Sequence, residues 1–525
     1  MSISEDPRAE SWNVTAPLAC AAALFFLLLA SRRDTSERGD KKDPPGPRPL
    51  PLLGNLLQLD LKWLDRALSK VNVQLPLVLF FNRLFFSLQL AKQYGSVFSI
   101  YLGTRQVVVL AGYKALKEAL VGNAVEFGER YVNPIFEEMN LGHGIIFSNG
   151  DTWKELRRFA LSTLRDFGMG KRLAQDKILE ECRYLIPVLE GHKGRPFNTT
   201  SPLSHATSNI ICSIVYGDRF QYDDARFVSM VKRANDTIRM MSSVQIQLYN
   251  MFPRLFGWLK DRHVVVSKRN ENMEDIRELL RQRKEKFNPE MCTGVVDCFF
   301  VRQRKEEEAG VERSQFNEEN MMFVVANLFA AGTDTTSTTL QWSLLLMAKY
   351  PEIQERVFEE LCQVVGSRPM DVDDRKNLPY TNAVIHEVQR FGNIAPMAIL
   401  HQTTQDITFQ DYFIRKGTAV IPLLSSVLYD ESQWATPNTF NPSHFLDNEG
   451  KFVKKDAFMP FSAGRRVCLG EGLARMEIFL FFTSLIQRFR FTPPPGISEE
   501  ELDLKPLVGF TLNPTPHELC AVRRQ

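Results

Sequence analysis

The sequence predicts a mainly helical fold with small β-sheets, an α+β class, behind a short N-terminal anchor. Two stretches, residues 97–113 and 407–422, resemble hairpins, the first turning near Gly103 and the second at Lys416 and Gly417. The composition, 44% hydrophobic and 24% charged, suits a globular chain with a large core. Apolar residues recur at helical three- and four-residue spacing in the segments that begin at Thr152, Ser204, Phe227, Glu318, Glu352 and Pro379.

Charge and cysteine content narrow the class of protein. The net charge of +2 comes from 64 basic and 62 acidic residues, a balance that gives no reason to expect nucleic acid as a partner. The eight cysteines are scattered, with no CxxC pair and no disulfide-framework spacing. A reducing compartment fits this usage best.

Residues 14–30 form an uncharged stretch that is just long enough to cross a bilayer as one helix. Acidic residues precede it and basic residues follow it, so the positive-inside rule places residues 1–13 in the lumen and the rest in the cytoplasm. The alternative is a cleaved signal peptide, which would need a basic start and a small-residue cleavage site. We therefore expect a single-pass membrane protein.

The anchor is followed by a basic, proline-rich linker, residues 31–55, and then by one domain, residues 56–525. Prolines keep such a linker extended and semi-rigid. Within the domain, residues 75–86 are apolar enough to lie on a membrane surface. A gene-model error over residues 60–89 would produce the same pattern, and the sequence does not separate the two.

The longest predicted helix covers residues 317–350 and would measure ~50 Å. Its centre reads AAGTDTTSTT, where Gly332 and Asp334 are poor helix formers and threonines compete for backbone carbonyls. A packing point or a kink would explain the glycine. Burial of Asp334 and Thr335 within an apolar helix needs a further reason, because unpaired polar groups are costly there.

A second polar pair, Glu387 and Arg390, lies on another predicted helix. A surface ion pair at this spacing contributes only ~0.3 kcal/mol and would be the ordinary interpretation. The helical wheel places Glu387 at the edge of an apolar stripe. We expect a buried, paired network that orders the structure.

Cys468 stands alone in PFSAGRRVCLGEG, immediately before an apolar stripe with helical spacing. At the start of a helix, free N–H groups, the helix dipole and the adjacent Arg466 would favour its thiolate. A thiolate there is a nucleophile, a zinc ligand, an iron ligand or a core residue. No histidine neighbours it as a base, and the spacing is wrong for zinc. Its neighbourhood alone does not decide between iron and the core.

The segment FSAGRRVCLG resembles the haem-binding signature of the cytochrome P450 superfamily, F-x-x-G-x-R-x-C-x-G. EVQR resembles its E-x-x-R element, and AGTDT, which begins at Ala331, resembles its oxygen-activation element. Several further segments resemble the vertebrate microsomal enzymes of its second family. The matching signature positions are Phe461, Gly464, Arg466, Cys468 and Gly470.

The resemblance implies the cytochrome P450 fold, with haem b between the long central helix and the helix after the cysteine. Cys468 would be the axial thiolate ligand. Asp334 and Thr335 would carry protons during oxygen activation, and Gly332 would leave room for O₂. The residues implied to hold the haem propionates are Trp153, Arg157, His401 and Arg466.

The chain departs from the family's pattern in the network of Glu387 and Arg390. Many family members complete it with an arginine where this chain has His444, a substitution familiar in the second family. The resemblance therefore makes His444 the candidate third member.

The chain has no dinucleotide-binding fingerprint, so electrons must come from a partner. The resemblance implies the membrane-bound NADPH–cytochrome P450 reductase, or cytochrome b5, at the endoplasmic reticulum. Lys154, Arg158, Arg165 and Lys171 are candidates for the docking surface, although such charges are commonly a solvated face only.

The implied activity is insertion of one O₂ oxygen atom into a lipophilic molecule, such as a fatty acid, steroid or foreign compound. Phe329, Met397 and Phe510 are pocket candidates, and core packing explains each of them equally well. Two alternatives stay open: a peroxide-rearranging isomerase of the same superfamily, which would tend to lack the Asp334–Thr335 pair, and a membrane-anchored haem sensor or carrier.

Overall fold

The computed structural model describes residues 42–55, 88–167, 169 and 172–524. The predicted anchor, residues 14–30, and most of the stretch 60–89 lie outside these residues. Within the described ranges, none of the helices has the length and apolar character needed to cross a membrane.

All six segments predicted to be helical from their apolar spacing are helices. In chain order the α-helices are α1 Tyr113–Lys117, α2 Pro134–Asn140, α3 Gly150–Asp166, α4 Arg172–Glu190, α5 Thr200–Val215, α6 Ala225–Met240, α7 Val244–Met251, α8 Pro253–Phe256, α9 Lys260–Glu285, α10 Val295–Glu308, α11 Glu318–Lys349, α12 Pro351–Val364, α13 Pro379–Gly392, α14 Ser425–Leu428 and α15 Glu471–Arg488.

The strands form small sheets beside the helices. They are β1 Val97–Leu102, β2 Arg105–Ala111, β3 Glu129–Arg130, β4 Phe197–Asn198, β5 His401–Gln402, β6 Ile407–Phe409, β7 Tyr412–Ile414, β8 Ala419–Leu423, β9 Phe489–Thr492, β10 Pro506–Val508, β11 Leu512–Pro514 and β12 Glu518–Arg523. The largest sheet has the order β1-β2-β8-β5-β3, and only its β2–β8 pair is parallel. The other sheets are β4-β12-β9, β6-β7 and β10-β11.

The first predicted hairpin is confirmed, and the second turns elsewhere. Strands β1 and β2 pair around Gly103, which has a left-handed φ of 63°. In the second stretch, β6 and β7 turn at Gln410 and Asp411, which both have left-handed φ values, and β8 leaves to join the large sheet. The prediction of a turn at Lys416 and Gly417 is wrong for this hairpin, because Gly417 instead supports the bend that leads to β8.

The predicted long helix is α11, whose 32 residues extend over ~48 Å. Asn317 caps it by accepting a hydrogen bond from the N–H of Asn320 at 2.9 Å, and Pro351 begins the next helix. Because α11 packs against α5, α13 and α15, most of its length is buried. It is the central element of the helical core.

The polar centre of α11 is accommodated in two ways. The hydroxyls of Thr335 and Thr339 donate to carbonyls of the preceding turn, so they bring no unpaired group into the core. Gly332 faces α5, where an added Cβ would lie 2.3 Å from Cδ1 of Ile211. The glycine is therefore needed for the close approach of α5 and α11, and its predicted second role, leaving room for O₂, stays a prediction.

Candidate active site

Cys468 lies in a tight loop between the 3-10 turn Gly464–Arg466 and α15. Its N–H donates to the carbonyl of Phe461 at 3.0 Å. Gly464 has a left-handed φ of 74°, and a Cβ there would lie 1.7 Å from the carbonyl oxygen of Leu120. The loop thus requires glycine at this position for both its conformation and its close packing.

The surroundings of Cys468 only partly match the expected electrostatics. N–H groups of Gly470 and Glu471 do hydrogen bond to the sulfur, as a helix start predicts. Although Cys468 keeps accessible surface, burial by the surrounding protein raises the pKa of the thiol and outweighs these contacts and the Arg157 charge. The helix start thus favours the thiolate as expected, while burial, which the sequence did not predict, opposes it more strongly.

Arg466 also acts differently from expectation. Its guanidinium donates to the carbonyls of Gly128 and Ser148 and to the Asn149 side chain, away from the sulfur. The cation that acts on Cys468 is Arg157, which donates to the carbonyl of Val467 at 2.6 Å. The position of Arg466 next to Cys468 in the sequence did not predict its contacts, because the long arginine side chain reaches well beyond its sequence neighbours.

A cluster of donors surrounds the buried Arg466. Its guanidinium lies 3.8 Å from the ring centre of Trp153, and Arg130 donates to its carbonyl at 3.4 Å. His401 uses Nδ1 to contact the carbonyl of Phe127 at 2.6 Å. Four buried nitrogens in this cluster have no hydrogen-bond partner among the described residues: Nε of Arg130, Nε1 of Trp153, Nε2 of His401 and Nη1 of Arg466.

The charges in this cluster repel one another. Burial, followed by the charges of Arg130 and Arg157, lowers the pKa of Arg466 to about 8. Burial and the charge of Arg157 lower the pKa of Arg130 to about 9. Burial, with Arg130 next, lowers the pKa of His401 to about 3. Such a site is suited to an anionic group that accepts several hydrogen bonds, such as a carboxylate pair.

The site predicted for the haem propionates matches this chemistry. Trp153, His401 and Arg466 lie in the cluster, and Arg157 is close enough to act on both Arg466 and Cys468. Arg130 was not predicted from the sequence to belong to this site. No local motif marks this residue, because a two-residue strand pairing with His401 brings it to the cluster.

Thr335 and Phe461 line one cavity of about 30 Å³, between α11, α13 and α15. The Thr335 hydroxyl donates to the carbonyl of Ala331 at 2.7 Å. The structure thus brings the polar centre of α11 next to the cysteine loop, as expected for a group held between them.

Asp334, the neighbour of Thr335, faces a different cavity. The hydroxyl of Thr511 donates to its Oδ2 at 2.7 Å. Burial raises the pKa of Asp334 to about 6, against the Thr511 hydrogen bond and the Arg239 charge. A carboxyl group with this pKa exchanges its proton near neutral pH. Thr511 was not recognised as its partner from the sequence.

The network around Glu387 is fully buried. Arg390 donates to the carboxylate through two nitrogens at 2.7 and 2.8 Å, and Nδ1 of His444 lies 3.1 Å from Oε2. Remaining guanidinium N–H groups donate to carbonyls of Leu428, Pro437 and Thr439. The predicted burial is confirmed, and the structure brings His444 to the third position.

The pocket candidates lie in three separate groups. Phe329 is buried in the main core, Met397 packs against the large sheet, and Phe510 packs near α2 and α7. Phe510 contacts Phe136 edge to face at 5.8 Å, and Phe136 stacks on Phe147. The described contacts do not join the three candidates, and their substrate role stays a prediction.

A comparison with models of protein families identifies the family of this chain. The family model described as cytochrome P450 matches residues 44–521. The chain belongs to the cytochrome P450 family. Cytochromes P450 bind haem b through a cysteine thiolate and act as monooxygenases on lipophilic substrates. The four unpartnered nitrogens and the carboxylate-binding character of their cluster fit that cofactor.

Individual relatives place the chain among the vertebrate P450 enzymes of the second family. Cytochrome P450 2K4 of Oncorhynchus mykiss is 56% identical over 507 residues, 95% of this chain and 96% of that protein. Cytochrome P450 2K1 of the same species is 55% identical, with full coverage of both chains. Cytochrome P450 2C23 of Rattus norvegicus is 44% identical over 484 residues, 92% of this chain and 93% of that protein. The resemblance expected from the sequence motifs is confirmed.

Proposed function

We propose that this P450 inserts one oxygen atom of O₂ into a C–H or C=C bond of a lipophilic molecule such as a fatty acid, steroid or foreign compound. Its electrons would come from NADPH through the membrane-bound NADPH–cytochrome P450 reductase. The observation that carries the proposal is the placement of Thr335 on α11, in one cavity with Phe461 of the loop that leads to Cys468 and next in sequence to Asp334.

Each part of the cofactor site has a proposed role. Haem bound there would supply the binding and cleavage of O₂. Cys468 would provide the thiolate ligand of its iron, while Trp153, Arg157, His401 and Arg466, together with Arg130, would hold its propionates. Phe461 and Gly464 would shape the loop that carries Cys468. The unpartnered donors of Arg130, Trp153, His401 and Arg466 support this assignment, because buried polar groups normally have partners.

The proposed roles of the central helix α11 belong to Thr335 and Asp334, which line different cavities. Thr335 would turn its hydroxyl proton, which the carbonyl of Ala331 accepts in this structure, toward the reacting oxygen. Asp334 would resupply protons, since its pKa of about 6 allows both uptake and release near neutral pH. Glu387, Arg390 and His444 would hold the α13 region in place and take no part in the chemistry.

We further propose that the chain is anchored in the endoplasmic reticulum membrane by residues 14–30, with the catalytic domain on the cytoplasmic side. The charge difference across that stretch supports this orientation.

The test is oxygen incorporation by the haem-loaded protein together with reductase and NADPH. We expect substrate-dependent NADPH consumption and one labelled atom per product from ¹⁸O₂. Rearrangement of an added lipid hydroperoxide without NADPH consumption would favour the isomerase alternative. Stable haem binding with no turnover of either kind, across lipophilic substrates, would favour a sensor or carrier.

A further inference from the structure

Two half-buried cysteines lie side by side where the chain passes from α9 to α10. Cys292 belongs to the loop of residues 286–294, and Cys298 lies in the first turn of α10. Among the seven described cysteines these two alone are half-buried, whereas the others are either fully buried or exposed. Both residues therefore keep surface that a small solute can reach.

The side chains of the two cysteines are in direct contact. A hydrogen bond joins them, and it raises the pKa of Cys298. Because a hydrogen bond raises the pKa of the acid that donates it, the Cys298 thiol is the donor and the Cys292 sulfur is the acceptor. Two thiols that point at each other meet the main geometric requirement of a disulfide.

The charges near the two sulfurs differ in sign. Arg283 on α9 is close enough for its charge to interact with Cys292. Cys298 lies near the carboxylates of Asp297 and Asp166. Burial, followed by the partner thiol and these two acids, raises the pKa of Cys298 to about 12. Because the thiolate is the reactive form of cysteine and an adjacent cation stabilises it, Cys292 is the nucleophile of the pair.

The fold holds Cys292 against the start of α10. The N–H of Thr293, the next residue, donates to Oδ2 of Asp297 at 2.8 Å. Gly294 follows and packs against the end of α5, where an added Cβ would lie 2.6 Å from the carbonyl oxygen of Val215. Folding, and not only closeness in sequence, therefore brings the two thiols together.

We propose that Cys292 and Cys298 form a redox pair, which a hydroperoxide converts to a reversible disulfide that ties the start of α10 to the loop before it. The Cys292 thiolate attacks one peroxide oxygen and the O–O bond breaks, which leaves a sulfenic acid on Cys292 and releases an alcohol, or water from hydrogen peroxide. The Cys298 sulfur then attacks the sulfenic sulfur, the S–O bond breaks, and water leaves with the Cys298 proton. The two thiols thus supply the two electrons that reduce the hydroperoxide.

The disulfide is reversible because of the compartment that the sequence indicates. The cysteine usage of the chain favours a reducing compartment, where the disulfides that form are usually transient and redox-sensing. Thiol reductants there return the pair to its reduced form. The inference does not depend on the proposed monooxygenase activity.

The test treats the folded, haem-loaded protein with a small excess of hydrogen peroxide and then blocks the remaining thiols with a maleimide. Trypsin cleaves after Lys286 and Arg302, so both cysteines lie in one peptide, residues 287–302. After peroxide we expect this peptide to have lost two hydrogen atoms and to carry no maleimide. Dithiothreitol should restore both maleimide adducts. Neither reductase nor NADPH is present, so the readout is independent of turnover.

Hydrogen exchange measures the effect of the disulfide on the fold. The N–H of Cys298 donates to the carbonyl of Gly294 at 3.3 Å, a long hydrogen bond in the first turn of α10. A crosslink from this turn to Cys292 should slow amide exchange at the start of α10 several-fold, because it restrains local opening. Dithiothreitol should reverse the change.

Single variants test the order of the two steps. Without the second thiol, Cys298→Ser should accumulate the sulfenic acid on Cys292, which dimedone traps, whereas Cys292→Ser should give little adduct on Cys298. Cys362→Ser removes an exposed cysteine from α12 and should keep the crosslink. The parent protein carries the main test, so a variant that does not fold leaves that test intact.

Three results would overturn the inference. They are two maleimide adducts on the peptide after peroxide treatment, a crosslink that forms as fast in the denatured chain as in the folded one, and unchanged hydrogen exchange at the start of α10 in the crosslinked protein. Dimedone labelling of Cys298 equal to that of Cys292 would reject the assigned nucleophile.

Discussion

Glu477 is a buried carboxyl group on α15 that the proposed chemistry does not use. It is 1% exposed, and neither of its oxygens has a hydrogen-bond partner among the described residues. Burial raises its pKa to about 8, since the nearby hydroxyl of Thr336 only weakly opposes that rise. The folded protein therefore holds this proton over a pH range in which the unfolded chain has lost it.

Glu477 should make folding less favourable as the pH rises from 4.5 to about 8. The folded state binds more protons than the unfolded state in that window, so stability falls with pH, by roughly 5 kcal/mol at most. We expect Glu477→Gln to match the parent near pH 4.5 and to be more stable above pH 8, in thermal unfolding of the haem-loaded protein. Parallel stability curves across this range would contradict the assignment.

Arg130 tests the proposed propionate site. Loss of one charge-assisted hydrogen bond costs about 1.5–3 kcal/mol, so Arg130→Gln should weaken haem retention roughly 10- to 100-fold. Transfer of haem to apomyoglobin measures this loss. The control is Arg465→Gln, an exposed arginine 5.4 Å from the Trp153 ring. Equal transfer rates for the parent and Arg130→Gln would show that Arg130 does not contact the cofactor.

At the scale of elements, helix α5 fixes the position of the central helix. Besides the contact of Gly332 with Ile211, Oγ of Ser208 lies within hydrogen-bond distance of Oγ1 of Thr333, at 3.0 Å. Helix α5, which carries none of the predicted site residues, therefore fixes the position of the oxygen-activation segment by packing against it.

Gly332→Ala should destabilise this contact. A methyl group 2.3 Å from Cδ1 of Ile211 must displace the Ile211 side chain or one of the helices, at a cost of about 1–3 kcal/mol. Ile211→Ala removes the obstructing atoms, so the double variant should recover part of the loss, and chemical unfolding of all four proteins gives the coupling energy. Strict additivity would show that the two residues do not constrain each other.

The elements also show what the sequence could predict. Helix α11 was predictable almost to its ends, because Asn317 caps it and Pro351 follows it. The turn at Gln410 and Asp411 was not predictable, since neither residue is a glycine, the residue type that marks a turn at Gly417. Motif spacing identified Cys468, Glu387 and Asp334. Arg130 and Thr511 join the site only through tertiary pairing, which one sequence does not reveal.

At the scale of the whole molecule, α3 links the interior site to a charged face. Trp153 and Arg157 point to the donor cluster and the cysteine loop, while Lys154, Arg158 and Arg165 are exposed on the same helix. Lys154 pairs with Asp151 at 2.9 Å. Lys171, the fourth predicted docking residue, lies outside the described residues. A reductase bound to this face would approach the site from the cysteine side.

The double variant Arg158→Glu, Arg165→Glu should raise the KM for reductase several-fold at low salt, because rim charges mainly set the association rate. The difference should shrink as ionic strength rises. Turnover driven by an organic peroxide, which needs no reductase, serves as the internal control, and Arg490→Glu as the control variant on another element. An unchanged, salt-independent KM would place the docking surface elsewhere.

The central claim is that Cys468 ligates haem iron as a thiolate. The carbon monoxide difference spectrum of the reduced protein tests it most directly, because the Soret position depends on the axial ligand. We predict the thiolate-type band in the parent and its loss in Cys468→Ala, with the band kept in Cys362→Ala, which removes another exposed cysteine. Absence of that band from the folded, haem-loaded parent, or its persistence in Cys468→Ala, would contradict the account.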